Sequence, residues 1–205
     1  TKNGYLPAQR QVNAPWKDYV WLPDVVMIPQ DANVTTIDLS APIAMQVARG
    51  SVIADADGMR RETLLFPQGM TAWMTFTNGT TQTLTTLNVR ATEYTIGSNG
   101  LETMPAELPS NSAYTYATEF SADEATAAGA VGVGFSPAII SYNEDFLDFD
   151  VGSVMPMGYH DRKRGVWVAS DSGRVIKILS VTAGKADLDI DGSDTPATPG
   201  ALAAL

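Results

Sequence analysis

The stretch Val154–Asp194, VMPMGYHDRKRGVWVASDSGRVIKILSVTAGKADLDIDGSD, decides the fold. Its first part predicts short strands joined by tight turns, because β-branched and aromatic residues are interrupted by glycine and charged residues. Trp167 and Ile176 are the expected core anchors of these strands. The last part is a ladder of alternating aspartates. The stretch therefore predicts a compact set of strands that leads into an acidic turn.

The rest of the chain repeats this pattern of short strands and frequent turns. Turn residues recur every ~8–12 positions, which is typical of an all-β sandwich or barrel. Tyr19–Ile28 and Val131–Tyr142 are expected to be strands. Asn78-Gly79 is expected to close a hairpin through a type I′ turn, in which both central residues have positive φ. The predicted fold class is therefore all-β, an antiparallel β-sandwich of one or two packed modules.

One short helix is expected within residues 121–129. Ala122–Ala128 is rich in alanine, and Ser121 with Glu124 has the spacing of a capping box. Gly129 follows at the position where a left-handed residue ends a helix. At about two turns, this helix must dock on the sheets to persist.

Composition shifts divide the chain into three parts. Residues 1–18 are polar and punctuated by proline, which predicts an arm. Residues 19–182 form the expected β-sandwich region, with a further boundary near 97–112. Residues 183–205 combine the acidic turn with an Ala/Pro linker tail. Because residue 1 is threonine rather than methionine, the chain is expected to be part of a longer polypeptide.

The net charge of −10 and the pI near 4.4 restrict the partners. Nucleic acid is excluded, since its phosphates require a basic surface. Insertion into a membrane is not expected, because no apolar run approaches the ~20 residues that a spanning helix needs. The chain has no cysteine, so disulfides and thiolate chemistry are ruled out. Flanking domains, a protein partner or further copies of the chain are the expected partners.

The aspartate ladder is the strongest candidate for a metal site. Asp187, Asp189, Asp191 and Asp194, with Gly192 among them, follow the spacing with which loops wrap calcium. A complete EF-hand loop would carry glutamate where Thr198 stands, so any calcium site here takes a different form. A solvated acidic turn explains the same residues. Calcium is the one cofactor that the sequence suggests.

No catalytic residue is predicted, and the chain is not expected to be an enzyme. His160 is the single histidine and is followed by Asp161, but no serine lies in a nucleophile-elbow context. A self-processing bond between Phe135 and Ser136 is a rival interpretation. Asp55-Ala-Asp57-Gly58 is explained by hairpin chemistry alone.

Four segments resemble a region of the very large bacterial Rhs/YD-repeat proteins: Thr63–Gly69 (TLLFPQG), Leu87–Gly97 (LNVRATEYTIG), Met104–Leu108 (MPAEL) and Pro156–Leu179 (PMGYHDRKRGVWVASDSGRVIKIL). The resemblance spans about residues 20–194, and His160 stands where the family pattern has a second tyrosine. It implies a secreted or surface-displayed bacterial chain whose repeats form a β shell around a C-terminal effector, often a toxin. The segment would be an accessory β-sandwich upstream of those repeats. No effector activity carries over to these residues.

The expected function is therefore that of a non-catalytic structural β module in a larger secreted or cell-surface protein. It would act as a spacer, a cap or an adhesive contact, with calcium at its C-terminal edge. One alternative is a self-assembling surface or filament subunit, with apolar interfaces formed by the prolines and tryptophans of residues 15–30. A self-processing or hydrolytic domain that uses His160 is another.

Overall fold

The computed structural model describes residues 2–22, 24–109 and 114–203. Two compact units share the chain. The larger unit comprises Thr1–Glu144 and His160–Trp167, and the smaller unit comprises Asp145–Tyr159 and Val168–Leu205. Both consist mainly of short strands, which confirms the predicted all-β fold class. The domain boundaries expected after residues 18 and 182 and near 97–112 stay predictions.

The strands of the larger unit are three to eight residues long. They are β1 (Thr35–Asp38), β2 (Met45–Arg49), β3 (Ile53–Asp55), β4 (Gly58–Arg60), β5 (Thr63–Pro67), β6 (Thr71–Thr75), β7 (Thr81–Leu84), β8 (Thr86–Glu93), β9 (Thr118–Ala122), β10 (Gly132–Ser136) and β11 (Ile140–Tyr142). Three antiparallel sheets have the orders β1-β8-β9, β10-β6-β7 and β11-β5-β2, and β3 pairs with β4 in a hairpin. A 3₁₀ helix occupies Gly97–Thr103.

The inward faces of these sheets share one hydrophobic core. Alternation along each strand places one apolar set inside, since successive side chains point to opposite faces. Leu64 and Phe66 of β5 and Leu87 of β8 are among its fully buried members. At about 1.5–3 kcal/mol for each large apolar side chain, this burial supplies most of the stability of the unit. The arrangement is sandwich-like, as the alternating patterns predict.

A second, smaller cluster fixes the N-terminal segment. Leu6 is buried with Ile28, Tyr94 and Met104, although it lies in the predicted arm. Trp167 packs against this cluster and is partly buried, as expected of an anchor. The N–H of Leu6 donates to the carbonyl of Ile28 at 2.8 Å. The start of the chain is therefore attached to the larger unit by its apolar side chains.

The smaller unit is built from strand pairs. Its strands are β12 (Val154–Met155), β15 (Gly173–Arg174), β16 (Lys177–Thr182) and β17 (Lys185–Asp189), and β12 pairs with β15 as β16 pairs with β17. The hairpin of β13 (Gly158–Asp161) and β14 (Val166–Ala169) contributes residues to both units.

Several local predictions are wrong. No strand forms in residues 19–22 or 24–28, where scattered bonds such as the one from Val26 N–H to Glu102 O replace a ladder. Val131–Tyr142 is two strands rather than one, because β10 ends at Ser136 just before Pro137. Ile176 is 39% exposed and is not a core anchor.

The short helix forms, but its cap differs from the prediction. The helix α1 spans Asp123–Ala127, and Gly129 has the expected positive φ of 69°. Its N-cap is Ala122, with no side-chain cap bond. The carboxylate of Glu124 instead accepts hydrogen bonds from the backbone and side-chain N–H groups of Asn88. Tertiary contacts with β8 therefore replace the capping box.

Two further turns differ from expectation. In the hairpin of β6 and β7, Gly79 has a φ of 84° but Asn78 is not among the residues with positive φ, so the turn is not type I′. The predicted linker tail contains the helix α2 (Pro199–Leu202), because Thr198 accepts a cap bond from Ala201 N–H.

No helix within the described part of the chain has the length and apolar character to span a membrane.

Candidate functional site

The aspartate ladder lies at the end of the β16–β17 hairpin in the smaller unit. Ala183 and Gly184 join the two strands with φ of 51° and 77°, so both central residues of this turn are left-handed. This is the backbone of a type I′ hairpin. The hairpin delivers Asp189 as the last residue of β17, directly before the acidic turn.

The carboxylate of Asp189 is the centre of that turn. Its side chain is buried, with the residue only 1% exposed. Oδ1 accepts hydrogen bonds from the N–H groups of Asp191 (3.1 Å) and Gly192 (2.9 Å), and Oδ2 accepts one from Asp194 N–H (2.8 Å). Burial opposes ionisation, but these donors outweigh it and lower the pKa of Asp189. The ionised carboxylate therefore ties the following five residues into a turn.

The other three aspartates each have a different environment. Asp187 accepts a bond from Ser180 Oγ at 2.6 Å across the hairpin. Asp191 accepts one from Ser193 N–H at 3.1 Å. Lys177 Nζ lies 2.5 Å from Asp194 Oδ1, and this bond raises the pKa of the lysine. The four carboxylates thus face separate partners.

The turn borders a cleft of about 380 Å³. Its lining consists of Asp150, Val151, Lys177, Asp189, Gly192 and Asp194. The cleft holds both signs of charge, because the ammonium group of Lys177 lies among the three carboxylates. A cation that entered here would meet a resident positive charge.

Asp187, Asp189, Asp191 and Asp194, the ligands expected for calcium, already have protein partners in this arrangement. Calcium takes six to eight oxygen ligands, several of them carboxylate. Here both oxygens of Asp189 are engaged by backbone donors, and Asp194 is paired with Lys177. Among the described residues, no group of three or more His, Cys, Asp or Glu side chains is placed to hold a metal ion. Calcium binding stays a prediction.

The larger unit contains a buried ionic cluster around Arg60. This side chain is 1% exposed. Its guanidinium donates to both oxygens of Asp55 at 2.8 and 2.9 Å, and twice to Glu93 Oε1 at 2.8 and 2.6 Å. These carboxylates raise the pKa of Arg60, and Arg60 lowers the pKa of Asp55. Asp55-Ala-Asp57-Gly58 is therefore a hairpin turn, as predicted, whose first aspartate is also half of an ion pair.

Glu62 lies beside this cluster and is only 5% exposed. Burial raises its pKa to about 8, a hydrogen bond with Tyr116 opposes that rise, and the charges of Glu144 and Glu93 add to it. Oε1 of Glu62 has no hydrogen-bond partner among the described residues. At neutral pH this carboxyl group is therefore mostly protonated.

His160 lies within β13, one residue before that strand ends at Asp161. Its ring centroid is 5.7 Å from that of Trp167, and its Nε2 is buried without a hydrogen-bond partner in the described part of the chain. Burial and then the charge of Arg162 lower the pKa of His160. Ser136 ends β10, where its carbonyl accepts a bond from Thr71 Oγ1. Neither residue has a hydrogen bond to the other.

The sequence prediction missed Arg60, Glu62 and Glu93. Arg60 follows the Asp-Gly turn closely enough to face the other strand of the same hairpin, which is a usable local signal. Glu93 is 33 residues away, and nothing in the local pattern links it to Arg60. Comparison of the chain with protein-family models, with curated proteins and with solved structures gave no significant match.

Proposed function

We propose that the chain is a non-catalytic structural β module of a larger secreted or cell-surface bacterial protein of the Rhs type. It serves there as a spacer, a cap or an adhesive contact. One observation carries the structural, non-catalytic part of the proposal: among the described residues, the most deeply buried charged side chain of each unit makes contacts that hold the fold. Arg60 has two carboxylate partners, and Asp189 has three backbone donors. The Rhs type and the secreted or cell-surface location rest on the sequence resemblance.

The remaining chemically capable groups support the same function. Catalysis by a histidine requires a proton acceptor or donor within hydrogen-bond reach of the reacting group. The imidazole of His160 is partly buried against Trp167 and contacts no serine hydroxyl within hydrogen-bond distance in the described residues. Glu62, whose pKa burial raises to about 8, is closed off from solvent.

The module proposal is tested by the intact mass of the native polypeptide isolated from its source. The 205 residues alone have a mass of 21.8 kDa. The proposal expects these residues within a much heavier polypeptide. A native polypeptide of 21.8 kDa would contradict it and favour an independent subunit.

The non-catalytic part of the proposal has its own test. The purified chain and its His160→Ala variant are incubated at neutral pH, and both are weighed by intact-mass spectrometry. Both masses are expected to stay unchanged. Fragments that end at Phe135 and begin at Ser136 in the parent protein, and their absence in the variant, would instead establish self-processing.

A further inference from the structure

Two apolar surfaces of the larger unit stay exposed. The first, the aromatic segment, is residues 16–22 (WKDYVWL). Trp16, Tyr19 and Trp21 are 88%, 91% and 94% exposed, and Leu22 is 56% exposed. Monomeric proteins rarely expose contiguous apolar groups of this size, and such patches mark interaction sites. The segment belongs to no helix or strand.

The second surface, the outer face, is on the sheet β11-β5-β2. Val47, Leu65 and Ile140 are directly paired across the three strands, so their side chains lie in one row on the same face. Their neighbours Ala48 and Leu64 point the other way into the core.

The outer face is open to solvent. Val47 is 38% exposed and Ile140 is 54% exposed, and Met45 and Tyr142, two residues away along the outer strands, are 42% and 43% exposed. Leu65 in the middle of the row is partly buried, and Thr63 beside it on the same face is 1% exposed, so the open part of this apolar face lies along the outer strands β2 and β11.

We propose that the aromatic segment of one copy docks on the outer face of a second copy, and that the contact is reciprocal. The proposal rests on these two surfaces and not on the function proposed above. A second copy is the fitting partner because each chain carries both halves of the contact. Such an isologous exchange closes as a dimer.

Charge favours the same partner. Residues 1–22 carry three basic side chains and one acidic side chain, a net charge of +2. The remainder of the chain carries −12, since the whole chain carries −10. The outer face itself has a basic side chain, Arg49, on β2, and an acidic one, Glu144, follows β11, so the attraction comes from the charge of the body as a whole. The aromatic segment itself is neutral, since Lys17 offsets Asp18, but residues 1–22 as a whole are attracted to the acidic body of another copy.

The area is sufficient for a stable dimer. An aromatic side chain buries about 150–250 Å² when it is covered, so three of them bury about 450–750 Å² per segment. Two reciprocal segments and the faces that they cover then exceed the roughly 1,200 Å² of total area at which stable interfaces begin.

The test is sedimentation velocity of the 205-residue chain over a series of concentrations. The wild type is expected to show a monomer–dimer equilibrium. Combined replacement Trp16→Ala, Tyr19→Ala and Trp21→Ala is expected to raise the dissociation constant at least about tenfold, because aromatic anchors dominate interface energies. Ile140→Glu is expected to do the same from the other side of the contact.

Two controls keep the result specific. Met59→Ala and Val52→Ala remove exposed apolar groups elsewhere on the larger unit, 69% and 54% exposed, and should leave the dimer unchanged. A mixture of the aromatic-segment variant with Ile140→Glu should recover a heterodimer, since one intact segment then meets one intact face. Circular dichroism should show unchanged folding of each variant.

A wild type that stays monomeric at every concentration would overturn the proposal. So would a dimer that survives both the aromatic-segment variant and Ile140→Glu. Neither outcome affects the module proposal, which depends on the mass of the native polypeptide.

Discussion

The two units bury a charge in opposite ways. In the larger unit, the guanidinium of Arg60 is neutralised by side chains from two other parts of the chain, Asp55 and Glu93. In the smaller unit, the carboxylate of Asp189 is satisfied by three backbone N–H groups within the next five residues. Both residues are 1% exposed. Burying a charge is costly unless it is paired and hydrogen-bonded, and each unit meets this cost differently.

The difference has a consequence for stability. Removal of Arg60 leaves the two carboxylates of Asp55 and Glu93 without their shared cation, whereas removal of the Asp189 carboxylate leaves three neutral N–H groups in the turn. An uncompensated buried charge is more destabilising than unpaired amides. The Arg60 cluster should therefore be the more sensitive of the two regions.

The largest effect is expected from Arg60→Met. The substitution leaves the carboxylates of Asp55 and Glu93 without their cationic partner. It should lower the free energy of unfolding of the larger unit by about 3–5 kcal/mol. Urea denaturation measures it. Arg164→Met, which removes an exposed arginine of the same unit, should change stability by less than about 0.5 kcal/mol. Equal effects of the two changes would show that the ionic cluster does not stabilise the fold.

The next effect is a pH dependence set by Glu62. Its pKa is about 8 in the folded chain against an ordinary 4.5, so its contribution to stability is fully present below 4.5 and is lost as pH rises through about 8. Linkage over this window predicts a loss of about 3 kcal/mol between pH ~5 and pH ~8.

Glu62→Gln isolates this dependence, because glutamine stays neutral. The difference in unfolding free energy between variant and wild type should grow in favour of the variant as pH rises. A difference that stays constant from pH ~5 to pH ~8 would mean that Glu62 titrates normally.

In the smaller unit, Asp189→Ala should lower the free energy of unfolding by about 2–3 kcal/mol, because three bonds to an ionised acceptor are lost. Asp187→Ala removes one exposed contact with Ser180 and should cost under about 1 kcal/mol. Thermal melting measures both.

Melting repeated with a chelator and then with added calcium tests the predicted calcium site directly. Bound calcium would raise the melting temperature, and Asp189→Ala would abolish the rise.

The smallest expected effect is a gain. Ala183 is left-handed at a φ of 51°, a conformation that costs an L-residue about 1–2 kcal/mol. Ala183→Asn gives the favoured Asn-Gly pair with Gly184. It should stabilise the smaller unit by about 1 kcal/mol and therefore raise its melting temperature. Ala183→Val should lower it. The opposite order would indicate that this turn is not type I′.

The same contrast explains what could be predicted from the sequence. The acidic turn could be predicted because the Asp189 carboxylate and the N–H groups that donate to it lie within six residues. The same aspartate spacing also occurs in calcium-binding loops, which is why the sequence suggested a metal site. The Arg60–Glu93 pair was missed because it joins residues 33 positions apart on β4 and β8, two strands of different sheets, through a tertiary contact that no local pattern reveals. The capping box failed for the same reason, since Asn88 of β8 takes the carboxylate of Glu124.

Strand prediction shows a similar limit. The all-β class followed from turn spacing and alternation, which are local properties. Tyr19–Ile28 has the residue types of a strand, but no neighbouring strand pairs with its described residues, 19–22 and 24–28, and its aromatic side chains stay exposed. Residue type alone does not supply the hydrogen-bond partner that a strand needs.

The central claim is that hydrogen bonds from the protein itself, and not a metal ion, hold the buried Asp189 carboxylate. Hydrogen exchange at the backbone amides of Asp191, Gly192 and Asp194 tests this claim most directly. With a chelator present, these three amides should exchange slowly in the wild type and at near-unprotected rates in Asp189→Ala. Amides that are unprotected in the chelated wild type and become protected only when calcium is added would contradict the account and establish a metal-held turn.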